Sequence, residues 1–276
     1  MKNFKGKTVY VVGGSSGIGL AAACRWAGKG ADVILFARGQ SGLDDAVQRV
    51  SENKASPRQT VAACAMDVSD GAAVAEILAA AMDRHGVPQV LINSAGRSRP
   101  HRFADLSAGQ FDETMKVNLY GVWNTVAGVT PRMIAAGEGY IVNVSSLAGF
   151  IGVYGFTDYC ASKFAVIGFS EALRSELKPH GITVSVLCPP DTDTPGFHEE
   201  NKTKPLETRE LSANARLLRP EAVADALLEG MSKNRFMIIP GLDGKILYRI
   251  KRFLPRTADW IVDMQIRKIR RKAGRG

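Results

Sequence analysis

Short apolar runs recur along the chain, and longer mixed stretches separate them. Residues 8–12, 33–36, 61–65, 90–92, 141–144 and 183–187 are runs of strand length, apolar at nearly every position. A run that is apolar throughout, rather than at every second residue, predicts a strand covered on both faces, as in a parallel sheet. Residues 72–84 and 164–177, among others, have the length and composition of helices. Strand and helix therefore alternate, which predicts right-handed βαβ crossovers and a doubly wound parallel sheet in three α/β/α layers. One stretch, residues 189–219, breaks the alternation: it is rich in Pro, Thr and Asp and reads as irregular. It lies between the sixth run and a helix that starts near Pro220. Ligands in such sheets bind beyond the carboxyl ends of the strands, so this stretch is a candidate substrate lid. At 276 residues and 45% hydrophobic content the chain can bury one sizeable core. The expected organisation is one domain over residues 1–240 and a separate extension over residues 241–276.

The first run leads directly into Gly13-Gly14-Ser15-Ser16-Gly17-Ile18-Gly19 and then a helical stretch. Gly13 permits the tight turn, Gly17 lets backbone approach a pyrophosphate, and Gly19 lets helix pack on strand. The helix start offers free N–H groups and a positive dipole end to the anion. The order strand, turn, helix in the first βαβ unit makes this a Rossmann-type dinucleotide site. An enzyme that uses NAD usually carries an acid at the end of the second strand, for the ribose hydroxyls. Here that strand ends Leu35-Phe36-Ala37-Arg38. A guanidinium can hold a 2′-phosphate through two hydrogen bonds, where a carboxylate would repel it. The expected cofactor is therefore NADPH or NADP+, with Ser15 able to add a hydrogen bond to that phosphate.

Composition narrows the class further. Cys24, Cys64, Cys160 and Cys188 are scattered, with no CxxC spacing, and the four histidines are isolated. Neither a metal site nor a disulfide framework is expected, and reduced thiols fit a cytoplasmic setting. No apolar leader precedes the first strand, so no signal peptide is expected. The formal net charge is +9. From Gly241 to Gly276 there are eleven Lys/Arg against three Asp, a net +8, so the excess lies almost wholly in the last segment.

Tyr159 and Lys163 stand four apart at the opening of a helical stretch, which puts them on one helix face. A tyrosine that titrates near 10 is a poor acid–base group at neutral pH, and a nearby ammonium favours its phenolate. Ser146 follows the fifth apolar run, where its hydroxyl can donate to a substrate carbonyl as charge develops. Asn118 lies in a helical stretch expected to flank the same strand end. A Tyr–Lys pair alone is ordinarily a surface contact; together with the phosphate turn it reads as a ketone-reducing site.

Over residues 7–240 the chain resembles the short-chain dehydrogenase/reductase family. The motifs that carry the likeness are GGSSGIG at 13–19, Asp67-Val68, Asn93-Ser94-Ala95-Gly96, Asn118, Ser146, Tyr159-Cys-Ala-Ser-Lys163 and Pro189-Pro190. The resemblance implies that Tyr159 gives the proton, Lys163 lowers its pKa and holds the nicotinamide ribose, and Ser146 orients the carbonyl. It implies a water relay supported by Asn118, an adenine contact from Asp67, and a carboxamide contact from Thr192 and Thr194. Asn93 would steady the central strands. Ser16, Ile18, Val68, Ala95, Gly96 and Pro189 complete the implied cofactor contacts. Val12 departs from the pattern, standing where the family often has Thr. Dimers or tetramers are the family's habit, so a homo-oligomer is expected.

Residues 189–208 add a narrower likeness. Pro189-Pro-Asp-Thr-Asp-Thr-Pro-Gly-Phe197, then Glu199-Glu-Asn201, then Thr203-Lys-Pro-Leu-Glu-Thr208 are similar to the 3-ketodihydrosphingosine reductase group of that family. This implies a long-chain sphingoid ketone as substrate. A steroid, retinoid or 3-oxoacyl thioester is the alternative. Asp191, Asp193, Glu199 and Glu200 are candidates to attract the substrate's ammonium. Beyond residue 240 apolar and basic residues interleave. That pattern fits a helix lying on an anionic membrane with Trp260 at headgroup depth, or a terminal helix packed on its own protein. No aromatic-interleaved motif accompanies the charge, so nucleic acid is not an expected partner.

Overall fold

A computed structural model describes residues 4–213, 216–272 and 274. In chain order the elements are β1 (Thr8–Val12), α1 (Gly17–Ala27), β2 (Asp32–Ala37), α2 (Gln40–Ser51), β3 (Val61–Ala65) and α3 (Gly71–His85). Then come β4 (Val90–Asn93), α4 (Ala108–Met115), α5 (Gly121–Ala136), β5 (Gly139–Val144), α6 (Thr157–Leu177) and β6 (Ile182–Leu187). The last third holds α7 (Pro195–Asn201), α8 (Leu206–Ser212), α9 (Pro220–Ser232), β7 (Met237–Ile238), α10 (Leu242–Phe253) and α11 (Pro255–Lys272). The strands form one seven-stranded parallel sheet in the order β3-β2-β1-β4-β5-β6-β7. This is the doubly wound arrangement, with the reversal of strand order between β1 and β4 opening a crevice at their carboxyl ends.

Each strand feeds two cores. Val9, Val11, Val33, Leu35, Val90, Ile92 and Val142 pack to one side with Trp26, Leu43, Val223 and Leu227 of α1, α2 and α9. Tyr10, Val12, Ile34, Phe36, Leu91, Ile141 and Val184 pack to the other with Leu78, Val126, Val129 and Val166 of α3, α5 and α6. Burial on both faces is why the runs are apolar at consecutive positions. The short edge strand β7 is a difference from expectation: two residues are too few to register as a run.

The candidate lid also differs, because it is not irregular. It folds into α7 and α8, and Thr192 bridges Leu218 across its base. Thr194 caps α7 by accepting from the Phe197 N–H at 3.1 Å, with Pro195 in the first turn, a favoured helix start. The segment past residue 240 turns back on the domain. The Tyr248 ring meets Phe150 edge-on at 5.2 Å, and Gly244 lies against Ile239 and Leu147. Among the described residues, no helix is long and apolar enough to cross a membrane.

A buried polar chain ties the central strands to two helices of one layer. Thr125 of α5 donates to Asn93 Oδ1 at 2.7 Å, and Asn93 donates to Asn143 Oδ1 at 2.9 Å. Asn143 donates in turn to Ser170 of α6 at 2.9 Å. An unpaired buried donor costs roughly 1–3 kcal/mol, so a gap in this chain is expensive. Asn143→Ala is expected to lower stability by about 2–4 kcal/mol. Urea unfolding checks this through a lowered midpoint with an unchanged slope.

Candidate active site

The turn after β1 has no room for side chains. Gly13 has φ +79°, and a Cβ there would stand 2.4 Å from the Ala95 nitrogen. A Cβ on Gly19 would stand 2.2 Å from the Gly13 carbonyl oxygen. Backbone is thus drawn tight around the start of α1, where the Ser16 hydroxyl makes no cap bond and the first-turn N–H groups stay available. Gly13, Ser15, Ser16, Gly17 and Ile18 border a cavity of about 870 Å³ that runs along the carboxyl ends of the strands. Arg38, Asp67, Val68, Ala95, Gly96, Pro189, Thr192 and Thr194 border the same cavity. Burial tends to raise the Asp67 carboxyl, but hydrogen bonds from Ser69 and the charge of Arg38 hold it below the usual range. A cradle that a Cβ would fill, a free helix N-terminus and an arginine at the end of β2 together fit a phosphorylated dinucleotide. The Thr192 hydroxyl is turned to the Pro190 carbonyl at 2.8 Å, and that of Thr194 to its own helix.

Ser146, Tyr159 and Lys163 meet in the middle of this cavity. Two hydrogen bonds join the end of β5 to the start of α6: Ser145 donates to the Lys163 carbonyl at 2.9 Å, and Lys163 Nζ donates to the Val144 carbonyl at 3.0 Å. Lys163 lies 5.6 Å from the centre of the Tyr159 ring. Its effect on the phenol differs from expectation. Burial is the largest influence and pushes the Tyr159 hydroxyl up, the Glu200 charge pushes the same way, and a hydrogen bond with Ser146 opposes both. The ammonium is aimed at Val144, not at the phenol, and burial lowers it to about 8. In the cofactor-free protein the phenol is therefore held protonated.

Three expected site residues stand behind the cavity. Gly19 is a packing position under the turn. Asn93 is buried in the polar chain described above, so its side chain joins strand to helix and makes no cavity wall. Asn118 sits in a π-turn, Lys116–Tyr120, between α4 and α5. It accepts from the Arg97 N–H at 2.8 Å and donates to the Arg97 carbonyl at 2.9 Å and Ser162 at 3.0 Å. Both amide hydrogens are committed, so the side chain pins the loop after β4 and has no donor left for a water relay. Wide turns of this kind recur at functional sites.

Residues 7–205 match the family model described as short chain dehydrogenase. The chain belongs to that family. It is 39% identical over 243 residues to the 3-ketodihydrosphingosine reductase of Mus musculus, covering 88% of this chain and 73% of the relative. The 3-dehydrosphinganine reductase of Danio rerio is likewise 39% identical, with the same coverage. Among solved structures, the short-chain dehydrogenase from Sphingobium yanoikuyae in complex with NADPH superimposes with a TM-score of 0.75 at 28% identity, covering 86% of this chain and 88% of that one. Levodione reductase gives a TM-score of 0.79 at 25% identity, covering 88% and 98%.

In this short-chain dehydrogenase part of the cavity that holds Ser146, Tyr159 and Lys163 is lined by residues from late in the chain. Phe197, Glu200 and Lys204 line it, and so do Leu247 and Ile250 of α10 and Ile261 and Val262 of α11. Sequence reading did not find these last four. Their apolar helical spacing was visible, but not the cavity they would face. Of the four candidate acids, only Asp191 and Glu200 reach the cavity. Asp193 pairs with His198 at 2.9 Å and Glu199 with Lys202 at 2.5 Å, all with exposed side chains. Asp193 is therefore a surface residue, not the cavity acid it was expected to be.

The burial of Lys163 has a measurable consequence. Unfolded, the lysine keeps its proton to about 10.4, whereas the folded, cofactor-free protein releases it near pH 8. Between these values the unfolded chain binds more protons, so stability rises with pH, and the full destabilisation is present below pH 8. Relative to Lys163→Met, wild type is expected to gain up to about 1.4 kcal/mol per pH unit from pH 8 to 10. Denaturant titrations of both proteins across that range measure the difference, and a flat difference excludes a depressed lysine.

Proposed function

We propose that this short-chain dehydrogenase uses NADPH to reduce the ketone of a long-chain 2-amino-3-keto sphingoid base to the 3-hydroxyl. What carries the reading is the meeting of Ser146, Tyr159 and Lys163 in one cavity with the glycine turn, in a chain 37–39% identical to named sphingoid-ketone reductases. A bound reduced nicotinamide supplies the hydride. Ser146 donates to the carbonyl oxygen and holds it against the Tyr159 hydroxyl. Tyr159 passes its proton to that oxygen as negative charge develops there. Lys163 would hold the nicotinamide ribose and offset charge left on the phenol. Arg38 and Ser15 would hold the 2′-phosphate, and Asp67 and Val68 would receive the adenine.

Oxidation of NADPH by wild type with the sphingoid ketone tests the reading. Tyr159→Phe is expected to lower kcat by about 100-fold or more, the usual range for a general acid. Arg38→Ala is expected to lower kcat/KM for NADPH by roughly 10-fold while leaving NADH little changed. Equal rates for wild type and Tyr159→Phe would overturn the mechanism. Turnover of a 3-oxoacyl thioester in place of the sphingoid ketone would overturn the substrate.

The C-terminal pair supports docking on the cytosolic face of an anionic membrane. Leu247, Ile250, Ile261 and Val262 face the cavity, while Leu242, Phe253, Leu254, Trp260 and Met264 of the same segment are exposed, Phe253 to 77% and Trp260 to 63%. Lys245, Arg249, Arg252, Arg256, Arg267, Lys268, Arg270 and Arg271 are exposed beside them. Cations near an anionic leaflet contribute about 1 kcal/mol each, and exposed aromatics fit the interface. The exposed Tyr120, Trp123 and Phe164 on adjoining helical segments support self-association through another face. Wild type is expected to float with phosphatidylserine vesicles at low salt, and Phe253→Ser with Trp260→Ser to float poorly. Absence of wild-type binding at low salt removes the membrane from the reading.

A further inference from the structure

Glu200 and Lys204 form an ion pair of 2.8 Å in the cavity wall, with side chains only 13% and 3% exposed. The exposed pairs on this molecule are unremarkable, but a buried one is not. Desolvating two ions exceeds their mutual attraction unless other groups help. Lys204 has such help: it lies over the Phe197 ring at 4.5 Å and the Phe156 ring at 5.9 Å. Glu200 has less. Burial holds its carboxyl above the usual range despite the lysine, and the Asp191 carboxylate in the same lining adds like charge.

A second group in this wall is idle. The Ser98 hydroxyl is buried, lines the cavity and has no hydrogen-bond partner. Its influence on the Glu200 carboxyl favours the charged form. An orphaned buried hydroxyl ordinarily marks a missing partner. Glu200 and Tyr159 border the same cavity, and the Glu200 charge is felt at the phenol.

The substrate proposed above carries its ammonium on the carbon next to the ketone. Any site that brings the ketone to Tyr159 therefore brings a cation beside it. We propose that Glu200, with Ser98, receives that ammonium and so selects a 2-amino ketone over a plain long-chain ketone. This rests on the sphingoid reading of the preceding subsection. A second cation completes the compensation that Lys204 begins, and it gives the Ser98 oxygen a donor. An analogue with hydrogen in place of the amine leaves Glu200 with Lys204 alone and Ser98 without a donor, which is how buried polar sites reject such analogues.

The test compares kcat/KM for the 2-amino ketone and for the matched ketone lacking the amine, using the whole chain with NADPH. The readout is the ratio of the two. Loss of the Glu200 charge alters Tyr159 equally for both substrates, and a merely structural role lowers both rates in proportion. Wild type is expected to prefer the amino ketone by about 10-fold or more, and Glu200→Gln to lose most of that preference. Should Glu200→Gln leave Lys204 unpaired and fold poorly, Glu200→Gln combined with Lys204→Met removes both charges and is expected to lose the preference too. A wild-type ratio near one, or a preference retained in the folded variants, overturns the ammonium site and leaves the reductase standing. No turnover of either ketone by wild type overturns the functional reading and this site with it.

Discussion

The two hydrogen bonds between the end of β5 and the start of α6 set the geometry on which the site depends. Lys163 reaches back to the Val144 carbonyl while Ser145 reaches forward to the Lys163 carbonyl. An ammonium with almost no water must be compensated by its surroundings. Here a single backbone oxygen does most of that, and the remaining cost shows as the lowered pKa. The arrangement gives precision in return. Ser146 is next along the chain from Ser145, and Tyr159 is one helical turn before Lys163 on the same face. Fixing one contact between strand and helix therefore fixes the position of three functional groups. The strand involved is buried at every position, so the reference frame lies in close-packed interior.

The opposite wall is built on another principle. Its residues come from α7, α8, α10 and α11, which stand outside the sheet and are held by side-chain contacts. Thr208 donates to the Tyr154 carbonyl at 2.8 Å, Arg102 pairs with Glu207 at 3.1 Å, and Phe150 meets Tyr248. Gly17 lies close under the Thr194 methyl, so the lid base also rests on the phosphate turn. In the proposed reading chemistry is carried by the end of β5 with α6, and selectivity by segments that can change in sequence without disturbing them.

These two halves were unequally legible in the sequence. The glycine turn could be read because each of its residues has a local reason to be there, and the Tyr159–Lys163 spacing because helical period alone puts them on one face. The strands could be read because burial on both sides leaves an apolar run. Asn118 was found by likeness, but its π-turn was not visible: Lys-Val-Asn-Leu-Tyr has an ordinary helical composition, and what the side chain holds lies 21 residues earlier, at Arg97. The lid helices are each seven residues long, too short to be stable alone, so tertiary contact decides them. Thr194-Pro195 was nonetheless a readable start signal. The sign of the Tyr159 shift was misjudged for a similar reason. Spacing revealed a neighbouring ammonium, but not where it points or how deeply both groups are buried.

The placement of α10 and α11 bears on how a lipid ketone reaches this site. Moving a long chain from bilayer to water costs about 0.8 kcal/mol per methylene, so an enzyme that waits in solution meets very little free substrate. Walls of Leu247, Ile250, Ile261 and Val262 return that energy inside the cavity, but only after the chain has arrived. In the proposed docking mode the same two helices present apolar and basic residues outward, so the surface that meets the membrane and the wall that meets the chain are two faces of one element. The aqueous path is then short, and the polar head, with its ketone and ammonium, enters towards Tyr159 and Glu200 while the tail stays against apolar surface. On this argument the sequence past residue 240 belongs to the substrate site as much as to the membrane, and the two readings that sequence left open, packing and docking, are compatible.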